Sequence, residues 1–459
     1  MNFSKNSIHI DQELCTGCRR CSQVCPVDAI EGKQGEAQSI NAERCIMCGQ
    51  CIQTCSAYAS DFDQDITPRR QKLSERKMPS SVKEPLFAAY NESNVLEIKA
   101  ALADKELQKM VQCAPAVRVA IAEDFGLPLG SLSPGKLAAA LRALGFNRIY
   151  DTNFTADLTI MEEGNELIKR ITGGGILPMF TSCCPAWVKF VEQEYPELIP
   201  HLSSCKSPMQ MAGALFKTYG AQLEGIDAGK IFSVAVMPCT CKSFEAERPE
   251  MNSSGFRDVD AVITTRELAY LIKDAGIDFN HLPDESFDKP LGMYSGAGNI
   301  FGASGGVMEA ALRTAYEVIA QKPIPDVNLE FVRGGDGIRT AVVAAGDLEL
   351  KVAVVSGLKN AISLLEDIKA GKSDIHFLEV MTCPSGCING GGQPKMLLPG
   401  DRETAAACRS ASTYVHDAGT EYRKSHENPE IKKLYEDYLG EPLGERSHHL
   451  LHTKYTARR

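Results

Sequence analysis

The chain has 459 residues, 44% apolar and 24% charged, with a formal net charge of −10 and 17 cysteines. That length allows about three domains, the apolar fraction excludes a disordered chain, and the acidic balance argues against nucleic acid as a partner, since its binders carry basic surfaces. No apolar run reaches the length of a membrane span, and Met1-Asn2-Phe3-Ser4-Lys5 begins neither a secretion leader nor a twin-arginine signal. A cytoplasmic protein is expected, with no membrane contact and with thiols that serve as metal ligands rather than disulfides.

The first element is a pair of cysteine runs. Cys15, Cys18, Cys21 and Cys25 have the spacing C-x2-C-x2-C-x3-C-P, and Cys45, Cys48, Cys51 and Cys55 repeat it with Ser56 in place of the proline. Thiolates two residues apart reach corners of one cuboidal cluster, and in two-cluster ferredoxins the fourth cysteine of each run ligates the other cluster. One 4Fe-4S cluster is therefore expected on Cys15, Cys18, Cys21 and Cys55, and a second on Cys45, Cys48, Cys51 and Cys25. A pair of zinc sites is disfavoured, because each would need two C-x2-C pairs.

A polar stretch from Asp61 to Pro85 follows, rich in charge and proline, and reads as a surface connector. Beyond it helical and strand-like runs alternate, with a helix over Lys136 to Leu144 and strands at Ile231 to Met237, Lys351 to Val355 and Leu378 to Met381, which predicts an α/β fold. Glu163, Glu166 and Arg170 fall on one helical stripe beside the apolar Ile160, Met161, Leu167, Ile168 and Ile171. By pattern alone that stripe is a solvated face with a Glu166–Arg170 ion pair.

Three further motifs carry cysteine: TSCCPAW from Thr181, MPCTCKSFE from Met237 and EVMTCPSGCINGGGQP from Glu379. The last two begin where a strand gives way to a loop, the place where open α/β sheets bind ligands. Four cysteines from three distant loops could hold one more buried cluster, and Gly390 to Gly392 would let the backbone approach it closely. The last thirty residues, rich in charge and histidine, read as a helix and an extended tail.

These motifs, with CAPAVRVAIAEDFG from Cys113, TIMEEGNEL from Thr159, LSSCKSP from Leu202, SGAGNIFGASGGVMEAALR from Ser295 and LGEPLGERSHHLLHTKY from Leu439, resemble those of the FeFe-hydrogenases over essentially the whole length. The resemblance implies an α/β catalytic domain of two lobes around a buried H-cluster, preceded by a small α+β domain of ferredoxin type. The domain boundaries expected are 1–75 for the two-cluster domain, 76–110 for a connector and 111–459 for the catalytic domain with its tail. The H-cluster is a 4Fe-4S cubane joined through one thiolate to a diiron unit with CO, CN and a dithiolate bridge. By motif position its ligands are Cys184, Cys239, Cys383 and Cys387, the last as the bridge.

The resemblance further implies that Lys242 donates to a cyanide, although its motif alone suggests a buried lysine paired with a surface carboxylate. Ala114, Pro115, Pro208, Met237 and Met381 would pack around the carbonyls. Cys183, which spacing cannot tell from Cys184, would exchange protons with the dithiolate, and Glu163, Ser203, Glu166 and Arg170 would complete a proton relay. The implied activity is reversible reduction of protons to H2, with electrons from a ferredoxin or similar carrier and with maturation proteins as partners. An H2 sensor or a hydrogenase-like assembly protein is the alternative, and the complete relay favours turnover.

Four positions depart from the best-known members: Ala186 for a glycine, Cys205 for an alanine, Cys241 for a small residue and Met209 for a glutamine. Cys241 reads as a small buried hydrophobe, or as a thiol that tunes cluster potential or responds to oxidation. Cys113 and Cys408 read as packing residues. His448, His449 and His452 read as part of a docking segment, with no cysteine or acidic partner nearby in sequence.

Overall fold

A computed structural model describes residues 7–59, 66–335, 337–346, 348–398 and 400–458. Ile231–Met237 is almost entirely apolar, the pattern of a strand covered on both faces. It lies inside a parallel four-stranded sheet ordered Ala261–Thr264, Ile231–Met237, Gln108–Cys113 and Arg148–Asp151. Helices cover it, among them Pro134–Leu144, which starts on a proline and ends at Gly145 with φ 100°. Such an end suits glycine, which has no Cβ to clash.

A second four-stranded sheet is ordered Gly337–Ala345, Leu348–Ser356, Phe377–Met381 and Met179–Phe180. Its first two strands form an antiparallel hairpin and the rest pair in parallel. The two sheets are the two lobes expected from the sequence. Strand ends explain why chemistry collects between them. Cys113 leads into Ala114 and Pro115, Phe180 into Cys183 and Cys184, Met237 into Cys239 and Lys242, and Met381 into Cys383 and Cys387, so every one of these groups leaves a strand at its carboxyl end.

The N-terminal part is built on short elements. Helices Arg20–Val24 and Gln50–Thr54 each follow a left-handed residue, Arg19 (φ 60°) and Gly49 (φ 71°). Gly17 and Met47 are also left-handed, with φ 69° and 55°. The two cysteine runs thus fold as structural repeats.

The segment read as a surface connector departs from that expectation. Residues 61–65 lie outside the described part, and Ile66–Glu75 is a helix whose Leu73 is buried. Lys72 and Arg76 pair with Asp11 at 2.8 and 3.4 Å. Residues 76–110 carry strands too: Ala89–Asn91 pairs antiparallel with Ile8–Ile10, and Leu86–Phe87 with Tyr58–Ala59. Lys72 and Arg76 thus turn inward and Arg69 donates to the carbonyls of Val82 and Glu84, while single apolar residues such as Leu73 and Leu86 anchor the segment. The C-terminal tail ends as a helix, Glu445–Leu451, and an extended strip on which His452 bridges to Cys205.

Candidate active site

The first eight cysteines gather in two neighbouring sets. Cys21 feels the charges of Cys55, Cys15 and Cys18, while Cys51 feels those of Cys45 and Cys25 and, across the gap, Cys21. Backbone amides point at the sulfurs, with Ala29 N to Cys25 Sγ at 3.2 Å and Gln38 N to Cys15 Sγ, Met47 N to Cys45 Sγ and Ala89 N to Cys55 Sγ at 3.4 Å. Burial pushes the Cys21 thiol up to about 11, and mutual repulsion adds to it. Thiols crowded in this way hold their protons unless a cation replaces them, so the donor set fits two iron-sulfur clusters. Cys48 and Cys51 are buried whereas Cys15 and Cys18 are partly exposed, giving an inner and an outer cysteine set.

Between the lobes lies a cavity of about 80 Å³. Cys184, Cys239, Cys383 and Cys387 all line it. Cys387 feels the charge of the other three. Ala114, Pro115, Pro208, Met237 and Met381 line it as well, as do Cys183 and Lys242. The glycines make room: a Cβ on Gly390 would sit 2.2 Å from Pro238 O, and one on Gly386 2.6 Å from Ser304 N. A thiol-rich, otherwise apolar chamber with one ammonium fits a cluster that carries anionic ligands.

Lys242 lines the cavity and is paired, as its motif alone suggests. Its Nζ donates to Glu245 Oε2 at 2.6 Å and to the Cys183 carbonyl at 3.1 Å. The carboxylate is itself buried, not on the surface. A paired lysine stays charged here, and the nearby thiols help to raise its pKa against burial.

On one side the inner cysteine run touches the cavity directly. Cys48 lines it and feels the charge of Cys383. Thr240 Oγ1 donates to Met47 O at 2.8 Å, and Gln53 Nε2 donates to the carbonyls of Gly390 and Gln393 at 3.1 and 2.8 Å. A Cβ on Gly391 would come within 2.5 Å of Cys48 O, so backbone meets backbone.

On the other side the stripe read by pattern as solvated is buried. Helix Thr152–Gly173 begins with Asp151 as its cap and packs against Pro208–Leu215 and Gly306–Ala320, which leaves Glu163 1% and Glu166 8% exposed. Ser203 Oγ donates to Glu166 Oε2 at 2.9 Å, and Arg170 pairs with Glu166 Oε1 at 2.7 Å. Arg170 also donates to the carbonyls of Pro200, His201 and Leu202 on its way to the surface.

Among the described residues neither oxygen of Glu163 has a hydrogen-bond partner. Burial, and next the charge of Glu166, push its carboxyl up to about 8. The same burial, with the charge of Glu163, raises the Cys183 thiol far above its ordinary range. The two neighbours that spacing leaves equivalent are thereby distinguished. Cysteines 239, 383 and 387 each feel the charge of Cys184, whereas Cys183 feels Glu163 ahead of Cys184 and Cys387.

Other cavity residues carried no signal of their own in the sequence: Ala116, Thr152, Ala156, Phe301 and Thr382. Phe301 lies in a segment noted only for its resemblance. Ala186 and Met209, two of the departures, line the cavity, while Cys241 is buried and feels the charges of Cys239, Lys189 and Cys184. Cys205 is fully buried next to Glu166.

A family model described as iron only hydrogenase large subunit, C-terminal domain, matches residues 108–391. Models for the iron hydrogenase small subunit and for a 4Fe-4S dicluster domain match 403–458 and 7–56. The chain is 51% identical over 380 residues to the NADP-reducing hydrogenase subunit HndD of Solidesulfovibrio fructosivorans, covering 82% of this chain and 64% of that one. It thus spans slightly less than two thirds of that relative. It is 47% identical over 391 residues to the periplasmic Fe hydrogenase large subunit of Nitratidesulfovibrio vulgaris, covering 85% and 86% of the two chains. A solved structure of a variant of the FeFe-hydrogenase HydA1 from Chlamydomonas reinhardtii superposes with a TM-score of 0.71 at 43% identity, over 80% of this chain and 99% of that one.

Proposed function

The chain belongs to the iron-only hydrogenase family, and from that premise we propose that it interconverts protons and H2, with electrons passing through the N-terminal cysteine sets to the central cavity. The observation that carries this reading is one chamber approached by a cysteine relay on one face and by Cys183, Glu163, Ser203, Glu166 and Arg170 on the other. When bound, the H-cluster supplies the redox-active iron at which protons and electrons combine. Cys184, Cys239, Cys383 and Cys387 would hold it, with Cys387 in the bridging role. The protein positions and insulates it.

Lys242 anchors an anionic ligand, and Ala114, Pro115, Pro208, Met237 and Met381 exclude water from the chamber. Cys183 holds a proton at Sγ and passes it to or from Glu163. A carboxyl that titrates at about 8 is suited to that exchange, since its protonated and ionised forms are of similar energy near neutral pH. Ser203 and Glu166 carry the proton onward, and Arg170 holds Glu166 at the exit.

Electrons enter from a ferredoxin or similar carrier at the partly exposed Cys15/Cys18 end and leave by Cys48. Loading requires maturation proteins. No helix among the described residues is long and apolar enough to cross a membrane, and the reading places the protein in the cytoplasm.

The test is H2 evolution from reduced viologen by the matured protein, with infrared detection of CO and CN bands. Bands with turnover support the reading. Bands without turnover point to a sensor, and absence of bands points to an assembly protein.

A further inference from the structure

Two features left without a role, the buried thiol Cys205 and the histidine tail, meet at one point. The atoms Glu166 Oε2, Cys205 Sγ and His452 Nδ1 all lie within 4.8 Å of one another, on three buried residues from three separate elements. Cys205 Sγ is 3.9 Å from Glu166 Oε2 and 4.0 Å from His452 Nδ1. Tetrahedral zinc with bonds of about 2.0 to 2.3 Å to oxygen, nitrogen and sulfur spaces its donors by roughly 3.5 Å, so shifts of about half an ångström suit the two sides at sulfur and the third side closes by at most about 1.3 Å.

A further contact orients the imidazole. Glu162 Oε2 lies 3.0 Å from His452 Nε2. Glu162 is held in turn by the Leu443 amide at 2.8 Å and by the hydroxyl of Tyr435. A fully buried carboxylate that already accepts from two donors takes the Nε2 hydrogen, which leaves the Nδ1 lone pair to the Ser204 hydroxyl at 2.8 Å, with the Cys205 thiol at 4.0 Å, so an ion in the triangle replaces the Ser204 bond. Carboxylate, imidazole and then metal is the arrangement by which proteins fix a metal-binding histidine. Arg170 holds Glu166 Oε1, while Oε2 accepts from Ser203 Oγ at 2.9 Å and from Ser204 N and Oγ at 3.1 and 3.2 Å and is the oxygen nearest the thiol, so an ion there also displaces the Ser204 hydroxyl.

We propose that Glu166, Cys205 and His452 form a binding site for a zinc-class divalent ion, separate from the iron-sulfur centres. Thiol, imidazole and carboxylate together suit a borderline-soft d10 ion, whereas Mg²⁺ and Ca²⁺ prefer oxygen donors throughout. On binding, a metal–sulfur bond forms as the Cys205 S–H bond gives its proton to solvent, and no electron moves. The ion takes up Glu166 Oε2, the acceptor of Ser203. Reversible inhibition of H2 turnover follows, a consequence that rests on the proton route proposed above, while the binding itself does not.

The test uses holoprotein with one equivalent of zinc chloride, read at the zinc K-edge, where the iron centres are silent. Wild type is expected to show one sulfur at about 2.3 Å with nitrogen or oxygen at about 2.0 Å. Cys205→Ala should lose the sulfur shell and bind zinc at least tenfold more weakly. His452→Gln, which keeps the thiol, should also bind at least tenfold more weakly.

A sulfur shell that survives in Cys205→Ala overturns the site, as does a wild type that takes up no stoichiometric zinc. In the second arm, micromolar zinc should slow viologen-driven H2 evolution at least tenfold and a chelator should restore it. Cys205→Ala should keep its basal rate and resist zinc. Equal inhibition of wild type and Cys205→Ala overturns the regulatory consequence. A protein that evolves no H2 yet keeps the Cys205-dependent shell supports the site and refutes the hydrogenase reading.

Discussion

The two approaches to the central cavity are built from opposite materials. On the Cys48 side backbone packs on backbone: Gly391 has no room for a Cβ against Cys48 O, and the polar contacts are amide and hydroxyl bonds to carbonyls. On the Cys183 side the path is made of titratable or hydroxylic side chains, with Glu163 left without a hydrogen-bond partner among the described residues. An electron needs proximity and a rigid medium, which close packing supplies. A proton needs groups that accept and release it at working pH, and burial tunes them for that.

If the division holds, variants on the two sides should fail differently. The largest effect is expected from Cys183→Ser: H2 evolution should fall by about 10³ to 10⁴-fold while iron content and reduction of the N-terminal clusters stay normal. Retained turnover would refute the role given to this thiol. Glu163→Gln is expected to cost about 10²-fold, since a general acid or base typically contributes that much or more.

The pH dependence of Glu163 has a definite sign. Its folded pKa, about 8, lies above the ordinary carboxyl value of 4.5. The folded state therefore binds more protons than the unfolded one between those values. Its contribution to stability is complete below 4.5 and is lost as pH rises through about 8. Wild-type stability should fall over that window relative to Glu163→Gln, and H2 evolution should decline above about pH 8; parallel stability curves for the two proteins would contradict the assignment.

On the electron side Gly391→Ala should lower stability by about 1 to 3 kcal/mol through overpacking. It should slow carrier-driven reduction of the cavity cluster while H2/D2 isotope exchange persists. Loss of both together would blur the division. The smallest effect is expected from Gln53→Ala, which removes donations to two carbonyls at roughly 0.5 to 1.5 kcal/mol each, seen as a lower unfolding midpoint with isotope exchange intact.

The same contrast explains what could be read without the fold. Cysteines two residues apart must approach one another whatever surrounds them, so the gathering of the first eight thiols follows from local chain geometry. Buried strands such as IFSVAVM announce themselves by composition, and with them the strand ends that carry Cys239 and Cys383. Pattern misleads where tertiary packing overrides exposure. The glutamate stripe has the periodicity of a solvated face, yet two neighbouring helices cover it. The charged segment after Asp61 pairs inward with Asp11.

Sequence by itself determined the 4Fe-4S dicluster domain, the α/β class and, through its motifs, the family. Tertiary structure alone decided that Glu163 is a buried acid, that Cys183 faces it, and that Cys205 meets His452 across 247 positions of chain. The reason is one of range. Spacing constrains only residues whose separation the backbone fixes, whereas burial and the meeting of distant side chains depend on which surfaces the folded chain brings into contact.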